Sequence, residues 1–113
     1  MLIVAMLPPE EIARLLVASH ERGLAALVEV HSEEEAAVAE AIGADFIGIN
    51  NRDLSTFHTD LGTTARVIAS ISGQTLVISE SALSRREDVD AVTRAGVRGV
   101  LIGTAFCAEP DVA

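Results

Sequence analysis

Short runs of Val, Ile and Leu recur five times along this chain, at Leu2–Leu7, Ala26–His31, Asp45–Asn50, Thr75–Glu80 and Gly99–Gly103, with helix signals in each gap. This alternation constrains the fold more than any single motif. Strands too far apart for hairpins and separated by helices must run parallel, with the helices packed on the sheet. The runs are continuously apolar, as strands dry on both faces are. Half the residues are hydrophobic but the aromatics are only three Phe, so the core must be aliphatic.

The gaps carry helix punctuation. Pro8-Pro9-Glu10-Glu11 places proline and acid in a first turn. Ser32 with Glu35, and Ser84 with Glu87, have capping-box spacing, and Asp60 suits the cap of a third helix. Gly23, Gly43, Gly73 and Gly96 mark the helix ends. Ile12, Leu15 and Leu16 form one apolar stripe, Val67, Ile68 and Ile71 a second, and Val89 and Val92 a third. The expectation is an α/β fold of five parallel strands alternating with four helices.

Two architectures fit: an open doubly wound sheet, or part of a (β/α)8 TIM barrel. No G-x-G-x-x-G or Walker loop follows the first strand, which disfavours the nucleotide-binding sheet. Polar residues gather at strand C-termini instead: Glu29 and His31, Asn50 and Arg52, Glu80 and Ser81, Gly103 and Thr104. A barrel enzyme keeps its chemistry at that end of its strands. Five strands cannot close a barrel of eight, and 113 residues fall far short of about 250. The chain therefore reads as a barrel portion, residues 1–113, incomplete at both ends, with open sheet edges that favour association.

Charge and composition narrow the function. All eight basic residues are Arg, so no mechanism that needs a lysine acid, base or Schiff base runs on this chain alone. A net charge of −9 with no basic stripe argues against nucleic acid. The single cysteine, Cys107, rules out an internal disulfide, reads as structural and fits a reducing, cytoplasmic setting. No apolar run reaches membrane-spanning length, and Met1–Leu7 lacks the basic start and cleavage site of a signal peptide. No acids or histidines have metal-ligand spacing, so no metal site is expected.

The candidate site residues follow from the strand ends. Glu29, in Leu27-Val28-Glu29-Val30-His31, is a carboxylate among β-branched residues, costly unless it faces a polar site, and burial would suit it to general-base work. Asn50 and Arg52 offer hydrogen bonds and positive charge to an anionic or hydroxylated ligand, though Asn50-Asn51-Arg52-Asp53 is also good turn chemistry. Glu80 is placed to orient a hydroxyl and Ser81 to donate to one; nothing resembling G-x-S-x-G surrounds Ser81, so it is no nucleophile. His31 reads as a neighbour of a helix cap, and His20 and His58 as surface residues. Gly103-Thr104 follows the last strand, where free amides make an anion site.

Together these segments resemble the indole-3-glycerol phosphate synthases, (β/α)8 barrel enzymes of tryptophan biosynthesis. The resemblance rests on Leu2-Ile3-Val4-Ala5, Leu27-Val28-Glu29-Val30-His31, Ile47-Gly48-Ile49-Asn50-Asn51-Arg52-Asp53-Leu54, Val77-Ile78-Ser79-Glu80-Ser81 and Val100-Leu101-Ile102-Gly103-Thr104, in that order. The run from Gly48 to Leu54 is the most specific. The match implies strands four to eight, with the first three lacking. It implies a cofactor-free ring closure of an anthranilate-bearing ribulose phosphate, losing carbon dioxide and water. It further implies that Glu29 is the general base, that Asn50 and Glu80 belong to the catalytic network, that Arg52 and Ser81 support and contact substrate, and that Ala82, Gly103 and Thr104 cradle its phosphate. The family has glycine where this chain has Ala82, which matters if that backbone needs φ > 0. The family's catalytic lysines sit on the early strands. The chain is therefore expected to be inactive alone; the competing reading is a non-catalytic half-barrel that binds phosphate and docks an N-terminal half or a second copy. A different phosphate-binding barrel enzyme is disfavoured by the Asn-Asn-Arg-Asp run.

Overall fold

The computed structural model describes residues 1–108 and 110. Five strands, β1 (Leu2–Ile3), β2 (Leu27–Val30), β3 (Phe46–Asn50), β4 (Leu76–Glu80) and β5 (Gly99–Leu101), form one parallel sheet in sequence order. Between them run α1 (Pro9–His20), α2 (Glu33–Ala41), α3 (Gly62–Ile68) and α4 (Arg86–Ala95), and α5 (Thr104–Ala108) follows β5. Consecutive strands pair throughout, with Glu29 opposite Gly48, Gly48 opposite Ile78, and Asn50 opposite Glu80. This is a partial (β/α)8 barrel.

The two faces of the sheet differ. Val28, Val30, Ile47, Ile49 and Val77 point to one side and form a single core with Ile12 of α1, Ala36 and Ala39 of α2, Val67 of α3 and Val92 of α4. The other side, which faces the axis in a closed barrel, bears Leu27, Glu29, Phe46, Gly48, Asn50, Leu76, Ile78, Glu80 and Leu101. It is covered only in part: Glu29, Asn50 and Glu80 are buried, while Leu76 is 45% exposed and Leu101 50%.

Several expectations need correction. Strand Leu2–Leu7 pairs only at Leu2 and Ile3 and then tightens into a 3-10 turn, Val4–Met6. It is an edge strand with β2 as its single neighbour, so one ladder alone holds its backbone extended. The four expected helices alternate with the strands, and among the described residues a short fifth, Thr104–Ala108, follows β5. The cap of α4 sits one residue later than Ser84 with Glu87: the Asp88 carboxylate accepts from the backbone N–H of Ser84 and of Arg85, while Glu87 is exposed. Asp60 does cap α3, but from one residue before its N-cap, accepting from Gly62 N–H. Ser32 caps α2 as expected, accepting from Glu35 N–H, while Glu35 reaches back to His31 N–H rather than to Ser32. Gly73 is not a left-handed cap, since α3 ends at Ile68; Gly23, Gly43 and Gly96 are, with φ of 70°, 77° and 111°. Cys107 is exposed on α5 and packs no core.

Candidate active site

The strand C-termini carry the polar residues into one region. Glu29 on β2 is 4% exposed, and its carboxylate accepts a 2.8 Å hydrogen bond from Asn50 Nδ2 on β3. Asn50 Oδ1 in turn accepts from Arg52 N–H at 2.9 Å, so one amide side chain ties Glu29 to the backbone that aims Arg52. Glu80, opposite Asn50 on β4, is also 4% exposed. Its Oε1 and the Arg52 Nε are buried and accept or donate no hydrogen bond within the described structure.

Glu80 is held in an unusual ionisation state. Burial, reinforced by the Glu29 carboxylate beside it, pushes its carboxyl up to about 7. A carboxyl poised there exchanges a proton at neutral pH, which is what acid–base catalysis asks of it. Gly48 makes this arrangement possible. A Cβ at that position would collide with Glu80 Oε1 and press on Leu27, so the missing side chain leaves the space that the Glu80 carboxyl fills.

Beyond β4 the chain turns sharply. Ser81 and Ala82 take φ of 64° and 58°, in the left-handed region that L-residues avoid. Ala82 therefore occupies a backbone conformation that glycine would adopt at less cost. Ser81 and Ala82 line a cleft of about 390 Å³ with Arg52, Glu80, Gly103 and Thr104. Six of the eight residues singled out in the sequence thus share one cleft. Glu29 opens instead into a neighbouring cleft of about 440 Å³, with Ile3, Met6, His31, Glu35 and Asp53, and Asn50 links the two.

The segment after β3 folds back on itself. Asp53 N–H donates to the His58 carbonyl and Asp60 N–H to that of Asn51. Hydrogen bonds from the Ser55 hydroxyl, Ser55 N–H and Thr56 N–H lower the Asp53 carboxyl to about 2. Three residues with structural parts in the site do not stand out in the sequence, and a fourth, His31, reads there only as a neighbour of a helix cap. Asn51, Thr64 and Ser79 form a fully buried polar cluster behind the strand ends. His31, half-buried, donates through Nδ1 to the Asn50 carbonyl at 2.8 Å, tying the end of β2 to the end of β3. The signal for the cluster was present, since Ser79 and Asn51 are polar residues at sheet positions that should be dry. Among the described residues no group of three His, Cys, Asp or Glu is placed to hold a metal, and no helix is long and apolar enough to cross a membrane.

The family model for indole-3-glycerol phosphate synthase matches residues 1–113. The chain belongs to that family. Curated indole-3-glycerol phosphate synthases are similar along the whole chain: that of Dehalococcoides mccartyi is 44% identical over 113 residues, covering 100% of this chain and 44% of its own. The Bacillus cereus synthase is 42% identical over 113 residues, covering 99% and 45%. The chain thus spans less than half the length of the synthases it matches. Solved structures carry the same fold at lower identity. The N-acetylmannosamine-6-phosphate 2-epimerase of Clostridium perfringens superposes with a TM-score of 0.72 at 19% identity, over 83% of this chain and 42% of the epimerase. FabK of Thermotoga maritima gives 0.72 at 20%, over 87% and 32%.

Proposed function

We propose that this chain is the portion of an indole-3-glycerol phosphate synthase that supplies the general base and the phosphate cradle, and that it works only when the rest of the barrel is present. The reaction is the ring closure of 1-(2-carboxyphenylamino)-1-deoxyribulose 5-phosphate, a carboxy-lyase step of tryptophan biosynthesis that releases carbon dioxide and water. The observation that carries this reading is the Glu29–Asn50–Glu80 row at the strand C-termini, with one carboxylate hydrogen-bonded and the other raised to about 7. Glu29 takes the proton lost in dehydration, and Asn50 holds the Glu29 carboxylate at a fixed angle. Glu80 serves the same proton network. Arg52 and Ser81 meet the polar groups of the substrate, and the amides of Ala82, Gly103 and Thr104 receive its phosphate at the cleft floor.

The chain holds no lysine to act as the general acid or to pair the substrate's carboxylate. Losing one positioned acid costs about 10²–10⁴ in rate, so the chain alone should turn over too slowly to detect. The early strands of a complete family barrel would have a place to bind. The axis-facing side of the sheet is open at Leu76 and Leu101, and among the described residues β1 and β5 each have one free edge. A segment carrying three early strands would pair those edges and cover that face.

The test is synthase activity of the chain alone and mixed with a separately made segment carrying strands one to three of a family member. Activity in the mixture alone is the expected result. A mixture that associates and folds yet stays inactive would overturn the catalytic reading in favour of a non-catalytic half-barrel.

A further inference from the structure

Adjacent asparagines at the end of β3 point to opposite sides of the sheet. Asn50 faces the cleft with Glu29. Asn51 faces away and is fully buried, as are Thr64 of α3 and Ser79 of β4. Asn51 Nδ2 donates to Ser79 Oγ at 2.9 Å, Thr64 Oγ donates to Asn51 Oδ1 at 2.9 Å, and the two hydroxyls lie 2.7 Å apart. The chemistry of the groups fixes every proton. The amide nitrogen can only donate and the amide oxygen only accept, so the Thr64 proton is committed to Oδ1 and Ser79 must supply the proton between the hydroxyls. The result is a closed circuit, Asn51 to Ser79 to Thr64 to Asn51. Thr64 N–H adds a second bond to Oδ1 at 3.2 Å.

The circuit spends only part of the Asn51 amide. Nδ2 also lies 3.0 Å from the Glu80 carbonyl and 3.2 Å from the Ser81 carbonyl, and the Asn51 backbone N–H donates to the Glu80 carbonyl at 2.9 Å. These contacts grip the backbone where it enters the left-handed Ser81–Ala82 turn. Two consecutive non-glycine residues persist in that region only when their surroundings hold them.

We infer that Asn51 is a positioning residue: clamped by Thr64 and Ser79, its carboxamide holds Ser81 and Ala82 in the left-handed turn that points their amides into the phosphate cleft. The phosphate part of this rests on the reading proposed above; the turn-holding part does not. Asn51→Ala should release the turn. Thr64→Val, which keeps its shape and removes the hydroxyl that fixes Oδ1, should do so more weakly and guards against a fold that fails outright. Ala82→Gly makes the left-handed turn intrinsically cheap and should rescue both.

The experiment is NMR of the 113-residue chain and these variants, reading the Ser81 and Ala82 backbone shifts and couplings for φ, with a titration of inorganic phosphate. The expected result is loss of the left-handed signature in Asn51→Ala. Its phosphate affinity should fall by about tenfold, or about 1.4 kcal/mol. Adding Ala82→Gly should restore affinity to within about threefold of Ala82→Gly alone. A folded Asn51→Ala or Thr64→Val that keeps the parental Ser81 and Ala82 shifts would overturn the inference, as would loss of the turn that Ala82→Gly leaves unrepaired. If the parent itself binds no phosphate while the turn still responds to Asn51, the phosphate reading falls and the positioning role stands.

Discussion

Glu29 and Glu80 are nearly equally buried and separated by a single strand, yet their surroundings differ. The Glu29 carboxylate accepts a hydrogen bond from Asn50; Glu80 has one oxygen with no donor and lies beside a carboxylate, which with burial raises its carboxyl. Two consequences follow for measurement. Glu29→Gln keeps the shape and the contact with Asn50 but cannot take a proton. In the reassembled enzyme it should lower kcat by about 10²–10⁴ with little change in KM, and unchanged steady-state kinetics would remove Glu29 from the base role. Glu80 sits at about 7 when folded against 4.5 ordinarily, so the folded chain holds that proton more tightly than the unfolded one. Its contribution to stability is therefore complete below about pH 4.5 and lost as pH rises through 7. Glu80→Gln has no proton to lose. The parent's melting temperature minus that of Glu80→Gln should fall between pH 4.5 and 8, and a flat difference would mean that Glu80 titrates normally.

At the scale of elements, α2, α3 and α4 each begin where a side chain accepts an orphan amide, while α1 begins on Pro8-Pro9 without one. Ser32 caps α2 directly after His31, whose ring is bonded to the Asn50 carbonyl. The start of α2 and the end of β3 are therefore joined through one residue. Ser32→Ala should cost about 1 kcal/mol in urea unfolding, with an unchanged m-value. A cost near zero would mean that Glu35, which bonds His31 N–H, anchors the helix start by itself. Most of this level was legible in the sequence, because caps and apolar stripes are properties of a few consecutive residues. The cap of α4 was misplaced by one residue because Ser84, Glu87 and Asp88 together admit two registers. Which carboxylate closes the cap depends on where the chain leaves the Ser81–Ala82 turn, which Asn51, just past β3, contacts at the Ser81 carbonyl.

The whole molecule is a sheet with one finished face. Four helices bury Val28, Val30, Ile47, Ile49 and Val77, while the axis-facing side leaves Leu76 and Leu101 half open. Because neither leucine supports the existing core, charging them should leave the chain's own stability within about 0.5 kcal/mol. The double variant Leu76→Glu/Leu101→Glu should nonetheless abolish association with a segment carrying the early strands, read by sedimentation of the mixture. Association of undiminished strength would place the partner's contacts at the sheet edges rather than on this face.

The sequence by itself determined the strand–helix alternation, the parallel sheet, the family and the group of residues at the strand ends. All of these are written in local runs, caps and motifs a few residues long. It could not say which side of the sheet each residue faces, since runs such as Phe46–Ile49 are apolar on both faces and lack the polar alternation that reveals a side. That is why Asn50 and Asn51 read as equivalent turn residues. The pleat sends one to the Glu29 carboxylate and the other into a dry circuit with Thr64 and Ser79. The elevated Glu80 carboxyl and the left-handed Ala82 belong to the same category. Glu80 meets Glu29 across β3, and Ser81 meets Asn51 from thirty positions away, and only tertiary packing sets those distances.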